Sequence, residues 1–318
     1  MHRSSKIFVA GHTGLVGSAL VRCLKRNQFK NLLLCPHSEL DLTDQIATRQ
    51  YFQSQKPDVV ILAAAKVGGI NANNSYPADF IQSNLAIQTN VIHEAYRSGV
   101  KDLLFMGSSC VYPRDCPQPI REEYLLTGLL EPTNRPYALA KIAGIEMCWA
   151  YNRQYGTRYF SVMPTNLYGP GDNYDLEGSH VLPALIRRTH EAKKQLRESI
   201  KVWGTGTVKR EFLHSDDLAE ACFLLLCLRR KQLEETFPSG QPPLINIGSG
   251  SEVTIRGLLD LVVQVIGYKG DINWDTTKPS GTERKLLDSS RINSLGWYPR
   301  INLIEGIRLA YGELVQRI

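Results

Sequence analysis

Lys6-Ile7-Phe8-Val9-Ala10 runs straight into Gly11-His12-Thr13-Gly14-Leu15-Val16-Gly17. The first of these stretches shows no polar alternation, so it predicts a short strand covered on both faces. Glycines at a GxxGxxG spacing follow at once and open a helix over Leu15–Arg26. Such a turn lets the backbone approach a pyrophosphate closely, and the helix N-terminus offers unpaired N–H groups at the positive end of its dipole. A tight strand-to-helix turn without a ligand needs the same glycines. The place of this one, after the first strand of an alternating chain, favours a dinucleotide.

Outward from that loop, short apolar runs alternate with helix-length segments. Strands are expected at Leu32–Cys35, Val59–Ala64, Leu103–Met106 and Phe160–Met163, with helices over Thr43–Gln55, Ala78–Ser98 and Tyr137–Tyr155. Strand–helix alternation implies parallel pairing through right-handed crossovers. The expected fold is α/β, a doubly wound parallel Rossmann sheet with a smaller, interleaved α/β substrate domain. Residues 1–171 form the first part and 172–318 mainly the second. The chain is expected to cross back to the first part around 211–250.

The chain has 318 residues, 43% of them hydrophobic, with a net charge of +6. That composition excludes global disorder. The basic residues are scattered, which fits an anionic substrate or cofactor and not a nucleic acid. The first residues lack the apolar core of a secretory signal, and no run reaches the length of a membrane span. Seven cysteines without a CxxC pair argue against a disulfide framework or a zinc site, and for a cytoplasmic setting. Cys23, Cys148, Cys222 and Cys227 sit in apolar helical runs and read as core.

After the second strand come Cys35-Pro36-His37-Ser38, with no acid until Glu39. A carboxylate there would hold a ribose 2′-hydroxyl and repel a 2′-phosphate, so its absence leans towards NADP(H). No arginine stands nearby as a clamp, which leaves His37 and Ser38. Asp41 and Leu42 could lie against the adenine edge, or Asp41 could simply start a helix.

The strand Leu103–Met106 ends at Gly107-Ser108-Ser109-Cys110-Val111-Tyr112-Pro113, and Tyr137 and Lys141 follow at i and i+4 on one helix face. A lysine ammonium and a nicotinamide cation beside the phenol are expected to bring it down towards neutrality. Tyr137 would then give a proton to an oxygen as hydride reaches the carbonyl carbon, with Ser108 or Ser109 holding that oxygen. Cys110, just beyond, could supply a thiolate base or pack in the core. His180, at the start of a later helix, could be an acid on the opposite face or a helix cap. Arg187-Arg188 could grip a diphosphate or form a solvated face.

These motifs resemble the extended short-chain dehydrogenase/reductases that act on nucleotide sugars. Further segments are similar to those that epimerise and reduce GDP-4-keto-6-deoxymannose. They are Ala63–Ile70, Gly107–Pro113, Glu131–Asn134, Pro164–Pro170, Ser179–Pro183 and Arg210–His214. The resemblance implies NADP(H), two epimerisations flanking a ketone, and then reduction of that ketone. It implies Ser108, Tyr137 and Lys141 as the reductase set, Cys110 as base and His180 as acid. It places the cofactor on Gly11, His12, Thr13, Gly14, Leu15, Val16, Gly17, His37, Asp41, Leu42, Tyr137, Lys141, Pro164, Thr165, Asn166, Leu167 and His180. It places a GDP-sugar on Ser109, Asn166, Arg188, Trp203 and Arg210. It also implies a homodimer joined by a four-helix bundle of Ala78–Ser98 and Tyr137–Tyr155. Thr13 and His37 stand where relatives can carry arginines, and Ser280 where an acid is common.

Rival readings are separable on residues. A 4,6-dehydratase would carry an acidic pair where Ser109-Cys110 stand. A simple 4-epimerase needs only Ser, Tyr and Lys, so Cys110 with His180 is surplus to it. A silent NADP-binding regulator would have lost Tyr137 or Lys141. A deoxyheptose epimerase/reductase shares GDP and the 4-ketone, so it stays open.

Overall fold

Ile7, Phe8, Val9 and Ala10 form β1 (Ile7–Ala10), and all four are buried. Ile7 and Val9 join one apolar cluster while Phe8 and Ala10 join another. That division is what a strand in the middle of a doubly covered sheet produces. The computed structural model describes residues 1–176, 178–277 and 282–318. Ser280, where relatives often carry an acid, lies outside the described residues.

The chain continues through α1 (Leu15–Arg26), β2 (Leu32–Leu33), α2 (Gln45–Gln55), β3 (Val59–Leu62), α3 (Ile70–Ser75), α4 (Pro77–Arg97), β4 (Asp102–Met106), α5 (Arg135–Tyr155) and β5 (Arg158–Pro164). Next come β6 (Asn166–Tyr168), α6 (Val181–Lys194), β7 (Ser199–Trp203), β8 (Lys209–His214), α7 (Ser215–Cys227), α8 (Arg230–Thr236) and β9 (Leu244–Ile247). The last elements are β10 (Glu252–Thr254), α9 (Ile255–Ile266), β11 (Asp271–Asp275), β12 (Arg284–Lys285), α10 (Ser290–Ser294) and α11 (Leu303–Arg317).

Among the described residues the main sheet has six strands in the order β2-β1-β3-β4-β5-β9, every pair parallel. Strand order reverses between β1 and β3, and ligands bind such sheets at that crevice, beyond the strands' carboxyl ends. Helices α1 and α7 cover one face, and α2, α4 and α5 the other. Arg22 pairs with Asp216 at 2.6 Å and Arg26 with Glu220 at 2.7 Å, tying α1 to α7. Strand β9 lies beside β5, with Ser161 opposite Leu244, so late chain completes the early sheet.

The remaining strands make two small sheets. β8 pairs with β6, β10 and β12, and β7 pairs with β11. A third apolar cluster under them joins α6, α9 and α11. Two expectations need correction. The second strand stops at Leu33 because Pro36 accepts from the Glu39 and Leu40 N–H groups and turns the chain off the sheet edge. Cys227 is exposed, since it is the last residue of α7 and leaves the face that buries Cys222. All seven cysteines are free. No helix among the described residues is long and apolar enough to cross a membrane.

Candidate active site

The glycine loop is shaped by two close approaches. Gly11 has φ +81°, and a Cβ there would lie 2.7 Å from the Ala64 nitrogen on the next strand's exit. A Cβ at Gly17 would collide with the Gly11 carbonyl oxygen. Helix α1 starts behind Gly14 with no side-chain cap and no acid in its first turn. Its free N–H groups and dipole therefore face the crevice uncompensated. The His12 Nδ1 is buried there without a partner among the described residues. A dinucleotide pyrophosphate fits this cradle in both shape and charge.

Farther along the crevice, His37 is 84% exposed and its Nδ1 stands 4.0 Å from the Asp41 carboxylate. Hydrogen bonds from the Thr43 backbone and hydroxyl hold that carboxyl below its ordinary range. His37 is thus available to a 2′-phosphate but shares its side of the crevice with an anion. Thr165 and Asn166 both donate to the Glu211 carbonyl, at 3.1 and 2.8 Å, and so fasten β6 to β8.

The reacting groups gather at the carboxyl end of β4. Ser108 has extended backbone and its Oγ accepts from the Cys110 N–H at 3.2 Å, starting a single turn over Ser109–Val111. Ser109 is buried in that turn. Tyr137 sits in the first turn of α5, where Pro136 fits because no helical bond is asked of its nitrogen. Its ring meets Phe80 edge-on, with centroids 6.4 Å apart. One turn on, buried Lys141 donates to the Met106 carbonyl at 2.8 Å, with its ammonium 4.8 Å from the Phe105 ring and 5.8 Å from the Tyr137 ring.

Around the phenol, the protein alone acts against the lowering expected from a lysine and a nicotinamide cation together. Burial pushes Tyr137 well above the ordinary tyrosine range, neighbouring Cys110 adds to the rise, and its hydrogen bond with Ser108 lowers it. Lys141 gives no opposing pull, because burial alone brings its own ammonium down to about 7. The polypeptide by itself keeps Tyr137 protonated.

Cys110 Sγ accepts from the Asn134 amide at 3.2 Å, and the Lys285 ammonium lies 3.8 Å away. Neither contact was expected from sequence. Asn134 ends the Glu131–Asn134 segment, but nothing in its spacing assigns it a partner. Lys285 arrives from β12, remote in sequence. His180 is the N-cap position of α6 and makes no side-chain cap bond there; desolvation by the protein around the ring holds it below the ordinary imidazole range. Its segment is anchored by a bond from the Gly69 N–H to the Gly178 carbonyl at 2.9 Å.

The paired arginines divide their work. Arg187 is bound to Glu191, while Arg188 donates to the Lys201 carbonyl at 2.8 Å. Lys201 lies on β7, which ends at Trp203, 54% exposed. Arg210 donates to the Lys209 carbonyl at 2.7 Å. Neither Arg188 nor Arg210 makes an ion pair among the described residues, so both guanidinium groups keep charge to offer an anion. His214 accepts from the Asp216 N–H and caps α7.

Residues 7–248 match the model of the NAD dependent epimerase/dehydratase family, and the chain belongs to that family. GDP-L-fucose synthase 1 of Arabidopsis thaliana is 60% identical over 316 residues, covering 99% of this chain and 95% of that protein. GDP-L-fucose synthase of Escherichia coli is 52% identical, covering 96% of this chain and 95% of that protein. A solved GDP-mannoheptose C4 reductase from Campylobacter jejuni with NADP bound is 39% identical. It superposes with a TM-score of 0.88 and covers 99% of both chains.

Proposed function

With family membership as premise, we propose that this chain is an NADPH-dependent 3,5-epimerase/4-reductase that converts GDP-4-keto-6-deoxy-D-mannose to GDP-L-fucose. The observation that carries this reading is the convergence of Ser108, Cys110 and Tyr137 at the end of β4. It joins a reductase pair to a nucleophilic sulfur that a plain reductase does not use. The glycine cradle, with His12, Thr13, Leu15, Val16, His37, Asp41, Leu42 and the 164–167 segment, holds the cofactor, which supplies a hydride when bound.

Each protein group then has a defined task. Cys110 removes a proton from a carbon flanking the ketone; the C–H pair enters the enolate, whose oxygen is held by Ser108 and Tyr137. His180 gives a proton to the opposite face of that carbon. Repetition at the second flanking carbon follows once Cys110 has returned its proton to solvent and His180 has regained one. Tyr137 finally protonates the ketone oxygen as hydride arrives at its carbon. A phenol kept protonated by burial suits that last step. Arg188 and Arg210 bind the diphosphate as charge-assisted donors, Trp203 offers the base a flat wall, and Ser109 and Asn166 face the sugar.

Purified protein given GDP-4-keto-6-deoxymannose and NADPH should yield GDP-L-fucose by NMR. Reduction without inversion of the flanking carbons would remove the epimerase half. A GDP-4-keto-deoxyheptose is the second reading, supported by the NADP-bound heptose reductase. Comparing kcat/KM for the two sugars decides between them.

The same reading includes a division near residue 171, a cytoplasmic setting and a homodimer through α4 and α5. These two helices pack on each other and carry Tyr96 stacked on Tyr155 at 4.1 Å and His93 bonded to Tyr151 at 2.8 Å. Light scattering at micromolar concentration should give twice the chain mass.

A further inference from the structure

Lys285 reaches Cys110 by a route that fixes its position. On one side β12 pairs with β8, with Lys285 opposite Arg210. On the other, the next residue, Leu286, accepts from the Ile120 N–H at 2.7 Å and donates to the Gln118 side chain at 2.9 Å. The buried Glu211 carboxylate accepts from the Leu287 N–H at 3.0 Å and the Gly250 N–H at 2.8 Å. The backbone of 285–287 is therefore held from three directions, which fixes the point from which the Lys285 side chain reaches the sulfur. Asn134 approaches the same sulfur from the start of α5.

We propose that Lys285, with Asn134 as second donor, is the counter-ion that faces the Cys110 sulfur as it takes the substrate proton. The assignment rests on Cys110 being the epimerisation base. In that step the S–H bond forms as the C–H bond breaks, the C–H pair passes into the enolate, and Lys285 keeps its charge and its protons throughout. Charge at this spacing is effective because the pair is partly withdrawn from water. The titratable groups facing the sulfur are Lys285 from β12 and the Tyr137 phenol from α5; Lys285 also faces the Cys116 thiol. Asn134 adds a directed N–H that strengthens when its acceptor is an anion. The reductase pair, Tyr137 with Lys141, does not include Lys285. Its loss should therefore fall on proton exchange and spare hydride transfer to a ketone that needs no inversion.

The readout is the rate at which iodoacetamide labels Cys110 in the full-length protein, followed peptide by peptide between pH 5 and 10. Exposed Cys227 serves as the internal control. Lys285→Met should label Cys110 about tenfold more slowly at pH 7, because an opposite charge beside the sulfur favours its reactive form. Lys285→Arg should restore most of the rate, and Asn134→Ala should fall between. In the same proteins, deuterium exchange beside the ketone should drop in Lys285→Met and recover in Lys285→Arg, while NADPH binding stays unchanged. Identical Cys110 labelling profiles for the parent and Lys285→Met would overturn the proposal. So would an equal deficit in Lys285→Arg, which would make the effect one of packing. If labelling shifts as expected but Cys110→Ser keeps full exchange, the pairing stands and the base reading is what fails.

Discussion

The six-stranded sheet and the β8-centred part serve one cleft but are built on opposite terms. The first delivers Ser108, Cys110, Tyr137 and Lys141 from one strand end and one helix. Its buried strands pair along their full length in parallel register. The second delivers His180, Arg188, Trp203, Arg210 and Lys285 from short strands and a helix start, through pairings such as Lys285 with Arg210. On the proposed reading, hydride transfer draws on the first region for its proton donor. Inversion at carbon draws on both, because a base and an acid must stand on opposite faces. With the roles proposed above, reduction is a property of one region, and epimerisation a property of their meeting.

The widest break in that contrast is Tyr137→Phe. Reduction should fall by about 10²–10⁴, the typical cost of one lost general acid. Deuterium exchange at the flanking carbons should persist, read by mass spectrometry; loss of both would join the two reactions at one residue. His180→Asn attacks from the other region. Here exchange should continue while inversion slows about a hundredfold, at the lower end for such a group, as NMR of the product will show. Equal loss of exchange would place the base, not the acid, in the second region.

A gentler change stays within the cofactor crevice. His37→Arg should raise the preference for NADPH over NADH by about two- to fivefold, the worth of one exposed ion pair. Paired kcat/KM values measure it, and an unchanged ratio would remove His37 from the phosphate site. The smallest effect sharpens the junction itself. Asp172 follows Gly171, where a Cβ would come within 3.0 Å of the Ser18 hydroxyl of α1, and its carbonyl accepts from Arg317 of α11 at 3.5 Å. Burial raises its carboxyl from 3.8 to about 7, with Glu313 adding to the rise. The folded state binds this proton more tightly than the unfolded state, so the contribution is complete below pH 3.8 and is lost as pH rises to about 7. Relative to Asp172→Asn, the parent should therefore lose roughly a few degrees of Tm between pH 4 and 7. Parallel Tm profiles would show that the junction does not titrate.

Legibility in the sequence follows the same contrast. The glycine loop, the crossover helices and the Tyr137–Lys141 pair are local patterns: burial writes apolar runs, and a helix face writes its spacing. The boundaries of α1 match the expected ones to the residue because Gly14 and the Asn27 turn mark them. The environment of Cys110 was not legible. Asn134 is close in sequence but bonds through a side chain whose direction no spacing reveals. Lys285 depends on which strand β12 joins, and a pair of residues carries too little pattern to announce a partner. The burial that raises the Tyr137 phenol is not legible either, since a helix spacing shows a face and not what covers it.

Strand β9 has a consequence for biogenesis. Until Leu244–Ile247 emerges from the ribosome, β5 has no neighbour on its outer side, and Ser161, Val162, Met163 and Pro164 await partners that have yet to be made. A nascent chain ending near residue 171 would carry a nearly finished sheet with one apolar edge open to any other strand. Chaperone engagement should then peak in the interval between release of β5 and release of β9. For the same reason, a chain truncated at that point should precipitate, although it holds the whole glycine loop and the Tyr137–Lys141 pair.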